Sequence, residues 1–337
     1  MFRTCTRREL LISTAAISLL RLPLRTAGAA EPPLRFGVIS DIHLDIVHDG
    51  EARLRPFIEA MNEAHVDFII QLGDFCVPLE RNRRFMEIWN QFNGPRYHVM
   101  GNHDRDGFVD RGGPYAFTYD ETMRFWNMPS PYYSFDRGGI HFIVLDSNEP
   151  GPNLRPYYRY IGDEQRQWLI DDLAATTLPT IIFSHHPFDD TGAGVIVNHA
   201  DIRKIVEAAH HPDGSPKVLA CFSGHLHRDY VRTIQGIYYP QINSASYVWL
   251  GEHIRNMPFG ETIDRTHPYL KHTAPYAKSL WAVVTIDRAG GALTIAGTTT
   301  QFVGPTPWEL GGNETDFPRD MVRPAISNAK LALPAAR

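Results

Sequence analysis

Cysteine is scarce in this chain: Cys5, Cys76 and Cys221 are the three in 337 residues. Cys5 belongs to a leader-like N-terminus, and the other two each lie near the end of an apolar run. A disulfide between them would need an oxidising compartment, but sheet-core cysteines read more simply as buried free thiols. Long apolar runs are also missing. After residue 30 nothing approaches the roughly 20 apolar residues that span a bilayer, so stable membrane association is not expected. Basic excess is absent as well, with 33 Lys and Arg against 38 Asp and Glu for a net charge of −5. Binding to nucleic-acid polymers or anionic membranes wants a basic surface, and neither is expected. A small anionic substrate stays open, because a bound metal can reverse the local sign.

What is present begins at the N-terminus. TRRELLISTAAISLL carries the pair Arg7 and Arg8 ahead of an apolar stretch, and Ala27-Gly28-Ala29 makes a small-x-small cleavage site before a Pro-rich linker. The order of charged head, apolar middle and cleavage site resembles a bacterial twin-arginine export signal over residues 1–29. It implies export through the twin-arginine machinery to the periplasm or beyond. Cleavage would remove five arginines and one acid, taking the net charge from −5 to −9.

Downstream, short apolar runs alternate with helical patterns. LRFGVISDIH (34–43), VDFIIQLGD (66–74), PRYHVMGNHD (95–104), LPTIIFSHHP (178–187) and KVLACFSGHLH (217–227) each read as a strand covered on both faces. Between them, ARLRPFIEAMNEA, RNRRFMEIWNQF, GDEQRQWLIDDLAA and NHADIRKIVEAAH carry helical periodicity, which predicts an α/β architecture. YYSFDRGGIHFIVLDS reads as a hairpin turning at Gly138-Gly139, and GIYYPQINSA and SLWAVVTIDRAGGALTIAGTT as later antiparallel strands. Two sheets face to face with helices outside would hold both halves, in one domain over 34–300. Residues 105–131, 148–162 and 250–277 read as long loops, and 301–337 as a tail that wraps the surface or frays.

Each of the five apolar runs ends in residues able to bind divalent metal. These are Asp41 and His43, Asp74, Asn102 and His103, His185 and His186, and His225 and His227. In an α/β sheet strand ends converge on one edge. Residues i and i+2 at a strand end share a face, so Asp41 with His43, and His225 with His227, can each offer two groups to one cavity. Gly73, Gly101 and Gly224 precede three of the clusters and would let the backbone turn sharply there. His65, His98, His141, His210 and His211 lack such company and read as solvated or structural.

Taken together, DIH, GD, GNHD, HHP and GHLH over residues 34–230 resemble the calcineurin-like metallophosphoesterase superfamily. The resemblance implies a four-layer α/β/β/α double β-sandwich with flanking helices that holds two metal ions. It implies Asp41, His43 and His227 around the first metal, Asn102, His185 and His225 around the second, and Asp74 bridging them. His103 would then sit beside the scissile phosphate with Asp104 orienting it, and Asn102 would help offset phosphoryl charge. Choosing His185 over His186 follows the family's His two before the proline. Mixed N and O donors suit Mn, Zn, Fe(II) or Co rather than Ca. A hydroxide bridging the metals is the expected nucleophile, with His103 protonating the leaving oxygen. Purple acid phosphatases carry a tyrosine soon after GD that ligates ferric iron. Here the block continues GDFCVPLE, so a colourless divalent pair is expected.

The expected substrate is small and phosphorylated, first a phosphodiester or nucleotide-type molecule. A phosphomonoesterase or nucleoside-diphosphate-linked pyrophosphatase is the alternative within enzymes, and a non-catalytic metal- or partner-binding relative the alternative outside them. Tyr115, Phe117, Tyr119, Tyr157, Tyr158 and Tyr160 could stack a base or sugar or simply pack the loops, and Arg105, Arg155 or Arg159 could contact phosphate.

Overall fold

Two six-stranded sheets lie face to face because each turns an apolar face to the other. The computed structural model describes residues 32–107, 112–152, 157–189 and 192–334. The export signal and Arg155 lie outside them. In chain order the first elements are β1 (Leu34–Ile39), α1 (Gly50–Glu63), β2 (Phe68–Gln71), α2 (Arg83–Trp89), β3 (Arg96–His98) and α3 (Tyr119–Trp126). Then come β4 (Tyr133–Arg137), β5 (Ile140–Val144), α4 (Asp163–Ala175), β6 (Thr180–Ser184), α5 (His199–Ala208) and β7 (Val218–Ser223). The rest are β8 (Tyr230–Ile234), β9 (Ile237–Gln241), β10 (Tyr247–Trp249), α6 (Glu261–Thr266), β11 (Thr273–Pro275), β12 (Ala282–Asp287), β13 (Ala292–Gly297) and β14 (Ala329–Ala332).

The first sheet runs β14-β13-β12-β1-β2-β3 and the second β4-β5-β6-β7-β9-β8. In the first, β1, β2 and β3 are parallel, and β12, β13 and β14 add antiparallel partners. In the second, β5, β6, β7 and β9 are parallel, with antiparallel β4 and β8 at the edges. The β4–β5 hairpin turns through Gly138 (φ 54°) and Gly139 (φ 69°), the left-handed pair a tight two-residue turn requires.

Alternation along each strand sorts side chains between layers. Phe36 and Val38 of β1, Phe142 of β5, Phe183 of β6 and Phe222 of β7 fill the space between the sheets. The Phe36 ring centroid lies 6.1, 5.7 and 5.9 Å from those of Phe142, Phe183 and Phe222, all edge-on. Ile39 and Ile69 point the other way, under Leu54, Phe57, Phe85 and Trp89 of α1 and α2. Ile143 and Ile182 meet Leu169, Ile202 and Val206 of α4 and α5. The result is the expected α/β/β/α stack. Cys76 and Cys221 are buried free thiols, one in each outer core. A disulfide needs Cβ atoms within about 4.5 Å, and two sheets separate these cysteines.

Two expected loops carry structure. Residues 105–131 contain α3, started by a capping box in which Thr118 Oγ1 accepts from Glu121 N–H and Glu121 answers the Thr118 N–H. Residues 250–277 contain α6 and β11. The C-terminal segment, expected to wrap or fray, instead completes the first sheet with β14 and sends Phe317, Val322 and Ile326 into the inter-sheet core. Asp229 fastens it, accepting from Arg323 Nε (2.8 Å), Ser327 N (2.9 Å) and Ser327 Oγ (2.7 Å).

Candidate metal centre

Because β1, β2 and β3 are parallel, as are β6 and β7, the five polar turns leave the sheets at one edge. The turns after β1 and β2 are tied by Asp41 N–H to Gly73 O (3.0 Å) and His43 N–H to Asp74 O (2.9 Å). Gly224 N–H reaches His185 O at 3.0 Å, joining the turns after β7 and β6. Asp41 (φ 51°), His43 (55°), Asp74 (50°), His225 (69°) and His227 (50°) all hold left-handed backbone. For a residue with a Cβ each costs on the order of 1–3 kcal/mol, a strain that gathers at functional sites.

The glycines act differently from one another. Gly73 turns the chain at φ 101°, and a Cβ there would stand 2.8 Å from Gly101 Cα. Gly101 and Gly224 are needed for close approach instead. A Cβ on Gly101 would strike the backbone N and carboxylate of Asp74, and one on Gly224 would stand 2.6 Å from Asp41 Oδ2.

These turns gather two overlapping donor clusters. In the first, His227 Nε2 lies 3.3 Å from His43 Nε2 and 3.4 Å from Asp41 Oδ1. In the second, His185 Nε2 lies 3.1 Å from Asn102 Oδ1 and 3.2 Å from His225 Nδ1. Asp74 belongs to both: its Oδ2 is 3.4 Å from His43 Nε2 and 3.2 Å from His185 Nε2, while its Oδ1 accepts His103 N–H at 2.8 Å.

With neutral imidazoles, hydrogen bonding leaves this arrangement unsatisfied. His227 donates its Nδ1 proton to Tyr247 O (2.9 Å) and His185 donates its own to Leu72 O (2.8 Å). In the neutral rings both Nε2 atoms are then lone pairs, facing other lone pairs. Their spacing suits a cation, since donors bound at 2.0–2.2 Å sit about 3.0–3.4 Å apart around one ion. Asp41, His43 and His227 can therefore hold one metal, and Asn102, His185 and His225 a second, with Asp74 touching both. His186 stands beside the second cluster, with a ring nitrogen within 4.8 Å of the donor atoms of His185 and His225. Its Nδ1 pairs with Ser147 Oγ at 2.8 Å, its Nε2 has no partner, and its ring lies 4.2 Å from that of His225.

The electrostatics give the same sign. Asp41 and Asp74 are buried, which opposes ionisation, yet surrounding histidines hold Asp41 low and Asp74 well below the usual carboxylate range. With side chains alone, the compensating charge is protons. Burial opposes protonation, but Asp74 and its neighbours raise His185 to about 9 and His103 to about 10. Divalent cations supply the same compensation.

His103 corrects one expectation. Its Nδ1 lies 2.7 Å from Asp106 Oδ2, and Asp106 also accepts from Tyr157 OH at 2.7 Å. Asp104 does not orient it. Asp104 Oδ2 accepts from the backbone N–H of Asp74 (2.9 Å) and Gly101 (2.7 Å), and Oδ1 from Phe75 (2.6 Å) and Cys76 (3.0 Å). Burial and nearby Asp74 push this carboxyl up, but four donors leave neither oxygen room for a proton. Asp104 shapes the turn that presents Asp74. The spare acid in GNHDRD, three residues after His103, was the one available sign of Asp106.

The centre opens into a cavity of about 820 Å³ lined by His43, Asp74, Asn102, His103, His225 and His227 at one end. Of the loop aromatics, Tyr157 reaches it. Tyr115 and Tyr158 stack on each other at 5.1 Å, and Phe117 is buried. Tyr119 donates to Asp146 and lies under Arg105, 3.8 Å from its ring centre, which commits Arg105 to packing. Arg159 has a buried Nε without a partner and lies away from the lining. Among the other histidines, His98 is packed between Trp89 and Trp126 and driven down to about 3 by burial. His141 is pinned between Asp136 and Asp172.

Comparison with known proteins bears on the family and the fold. A manganese-dependent ADP-ribose/CDP-alcohol diphosphatase of Arabidopsis thaliana is 23% identical over 289 residues, covering 65% of this chain and 88% of that protein. Its Oryza sativa subsp. japonica counterpart is 24% identical over 272 residues, covering 60% of this chain and 80% of that protein. A dimetal phosphatase of Danio rerio shares the fold at a TM-score of 0.55 and 15% identity, with 81% of this chain and 99% of that one covered. The calcineurin-like phosphoesterase profile matches residues 34–229, and the chain belongs to that family.

Proposed function

We propose that this metal-dependent phosphoesterase hydrolyses the diphosphate link of small nucleoside-diphosphate-linked molecules. The reading moves from the phosphodiester expected first to the alternative, because the similar plant proteins are ADP-ribose/CDP-alcohol diphosphatases. Members of the family use two divalent cations, and the observation that carries the mechanism is Asp74 Oδ2 standing within 3.4 Å of donors in both clusters. Manganese, named for the same relatives, suits the mixed N and O donors.

When bound, such a pair supplies Lewis acidity and makes water nucleophilic near neutral pH. The chain's own residues do the rest. Asn102 presents its amide at the second cluster, where phosphoryl oxygens would gain charge. Asp106 fixes the His103 ring through Nδ1, which leaves Nε2 to give a proton to the departing phosphate oxygen. Tyr157, bonded to the same carboxylate, holds that pair at the cavity wall.

A substrate panel tests the reading: ADP-ribose, a CDP-alcohol, a bis-aryl phosphate and a mono-aryl phosphate, each with Mn²⁺ and with chelator. The diphosphates should show the highest kcat/KM and lose turnover on chelation. A preference for the mono-aryl ester would sink the assignment. We also propose export by the twin-arginine route, supported by Arg7-Arg8 and Ala27-Gly28-Ala29. Recovery of the uncleaved chain from the cytoplasmic fraction of its host would reject it.

A further inference from the structure

We infer that the cavity wall running on from the metal ligands along β10 is a base-binding face, on which Trp249 and Tyr269 stack a planar heterocycle carried beyond the phosphates. The inference rests on the diphosphate reading above and adds what lies at the far end of the substrate. A cavity of about 820 Å³ matches a whole nucleotide-sized ligand rather than a phosphate alone. Large apolar side chains are rarely left in water here, yet Trp249 is 38% and Tyr269 39% exposed, and both line this one cavity.

Strand geometry sets the spacing. Tyr247 and Trp249 occupy i and i+2 on β10 and so share a face. The Tyr247 ring abuts those of His43 (5.2 Å) and His227 (4.9 Å), and Trp249 stands about 7 Å further along the strand. That step is roughly the breadth of a sugar, the group that separates phosphate from base. His272 backs the indole with ring centroids 5.9 Å apart, and β11 braces the strand from Thr273. Glu252 lines the same cavity and offers an acceptor for the exocyclic amine of adenine or cytosine.

This wall lies outside residues 34–229, where the family match ends. The matched core carries the phosphate chemistry, while a segment beyond that match meets the organic group.

The test uses the Mn²⁺-loaded full chain and its Trp249→Ala, Tyr269→Ala and Trp249→Phe variants. Two readouts are taken: the ratio of kcat/KM for ADP-ribose to that for a dialkyl diphosphate lacking a base, and calorimetric binding of AMP. Losing one stacking partner should lower the ratio and the AMP affinity about five- to tenfold, and Trp249→Phe should restore most of both. Shifts under twofold in both alanine variants, with metal content kept, would overturn the inference. If the unmodified protein cleaves no diphosphate but binds AMP and the alanine variants weaken that binding, the substrate reading fails and the base wall stands. If diphosphates are cleaved and the variants are indifferent, the base wall alone fails. No AMP binding and no diphosphate cleavage would reject both.

Discussion

Asp104 and Asp106 flank one arginine, and the structure gives them opposite duties that substitution can separate. In Asp104→Asn the amide keeps one acceptor oxygen and turns an NH₂ towards two backbone donors. Whichever way it flips, either Asp74 and Gly101 or Phe75 and Cys76 lose their acceptor. Hydrogen bonds to a charged group are worth about 1.5–3 kcal/mol each, so two cost about 3–6 kcal/mol. A chain of ~300 residues changes by about 0.6 kcal/mol per degree near its midpoint, which predicts a fall of about 5–10 °C. Calorimetry on the Mn²⁺-saturated proteins measures it. Because Asp74 sits on the disturbed turn, manganese affinity should fall as well. Asp106→Asn should do the reverse, keeping Tm within about 2 °C and lowering kcat by about 10²-fold through a misplaced His103. An Asp104→Asn protein with the parental Tm and a large kcat loss would refute this division, and would restore Asp104 as the group that orients His103.

Further outcomes follow from the same geometry. Asp74→Ala should leave fewer than one metal per chain by elemental analysis, since both clusters share its carboxylate; two retained metals would contradict the bridging assignment. Gly224→Ala should lower kcat/KM at least about tenfold and weaken the first metal, because the added methyl falls against Asp41 Oδ2. For His141, burial works against protonation, but Asp172 and Asp136 raise it above its ordinary value of 6.5. Its contribution to stability is therefore full below about pH 6.5 and lost as pH rises through the higher folded value. Denaturant midpoints of His141→Gln should trail the parent most below pH 6.5 and converge with it at high pH. A constant gap across that range would exclude the ion pairs as its source.

The legible parts were those whose signals are local. A both-sided apolar run followed at once by metal-binding residue types marks a strand end wherever it occurs. Asp41, Asp74, Asn102, the His185–His186 pair and His225 could therefore be placed at strand ends from the sequence, while the choice between His185 and His186 came from the family pattern. Helices α1, α2, α4 and α5 fell within a few residues of their periodic patterns for the same reason. The exchange of roles between Asp104 and Asp106 was not readable, because it depends on how the turn after Asn102 packs against residues 74–76. The tail was opaque because its anchor, Asp229, lies 94 and 98 positions before Arg323 and Ser327. Helix α3 could have been found. Thr118 and Glu121 form a capping pair in the sequence, hidden only by the glycines and the proline before it.

The order β14-β13-β12-β1-β2-β3 has a kinetic consequence. β1 is the earliest strand, yet one of its edges waits for Ala282–Ile286, some 250 residues downstream. Until the ribosome has delivered nearly the whole polypeptide, LRFGVI carries unpaired backbone groups and bare apolar faces, a template for pairing with other nascent chains. Maturation of this protein should therefore be slow, late and sensitive to crowding, with chaperone demand concentrated on its first strand rather than its last.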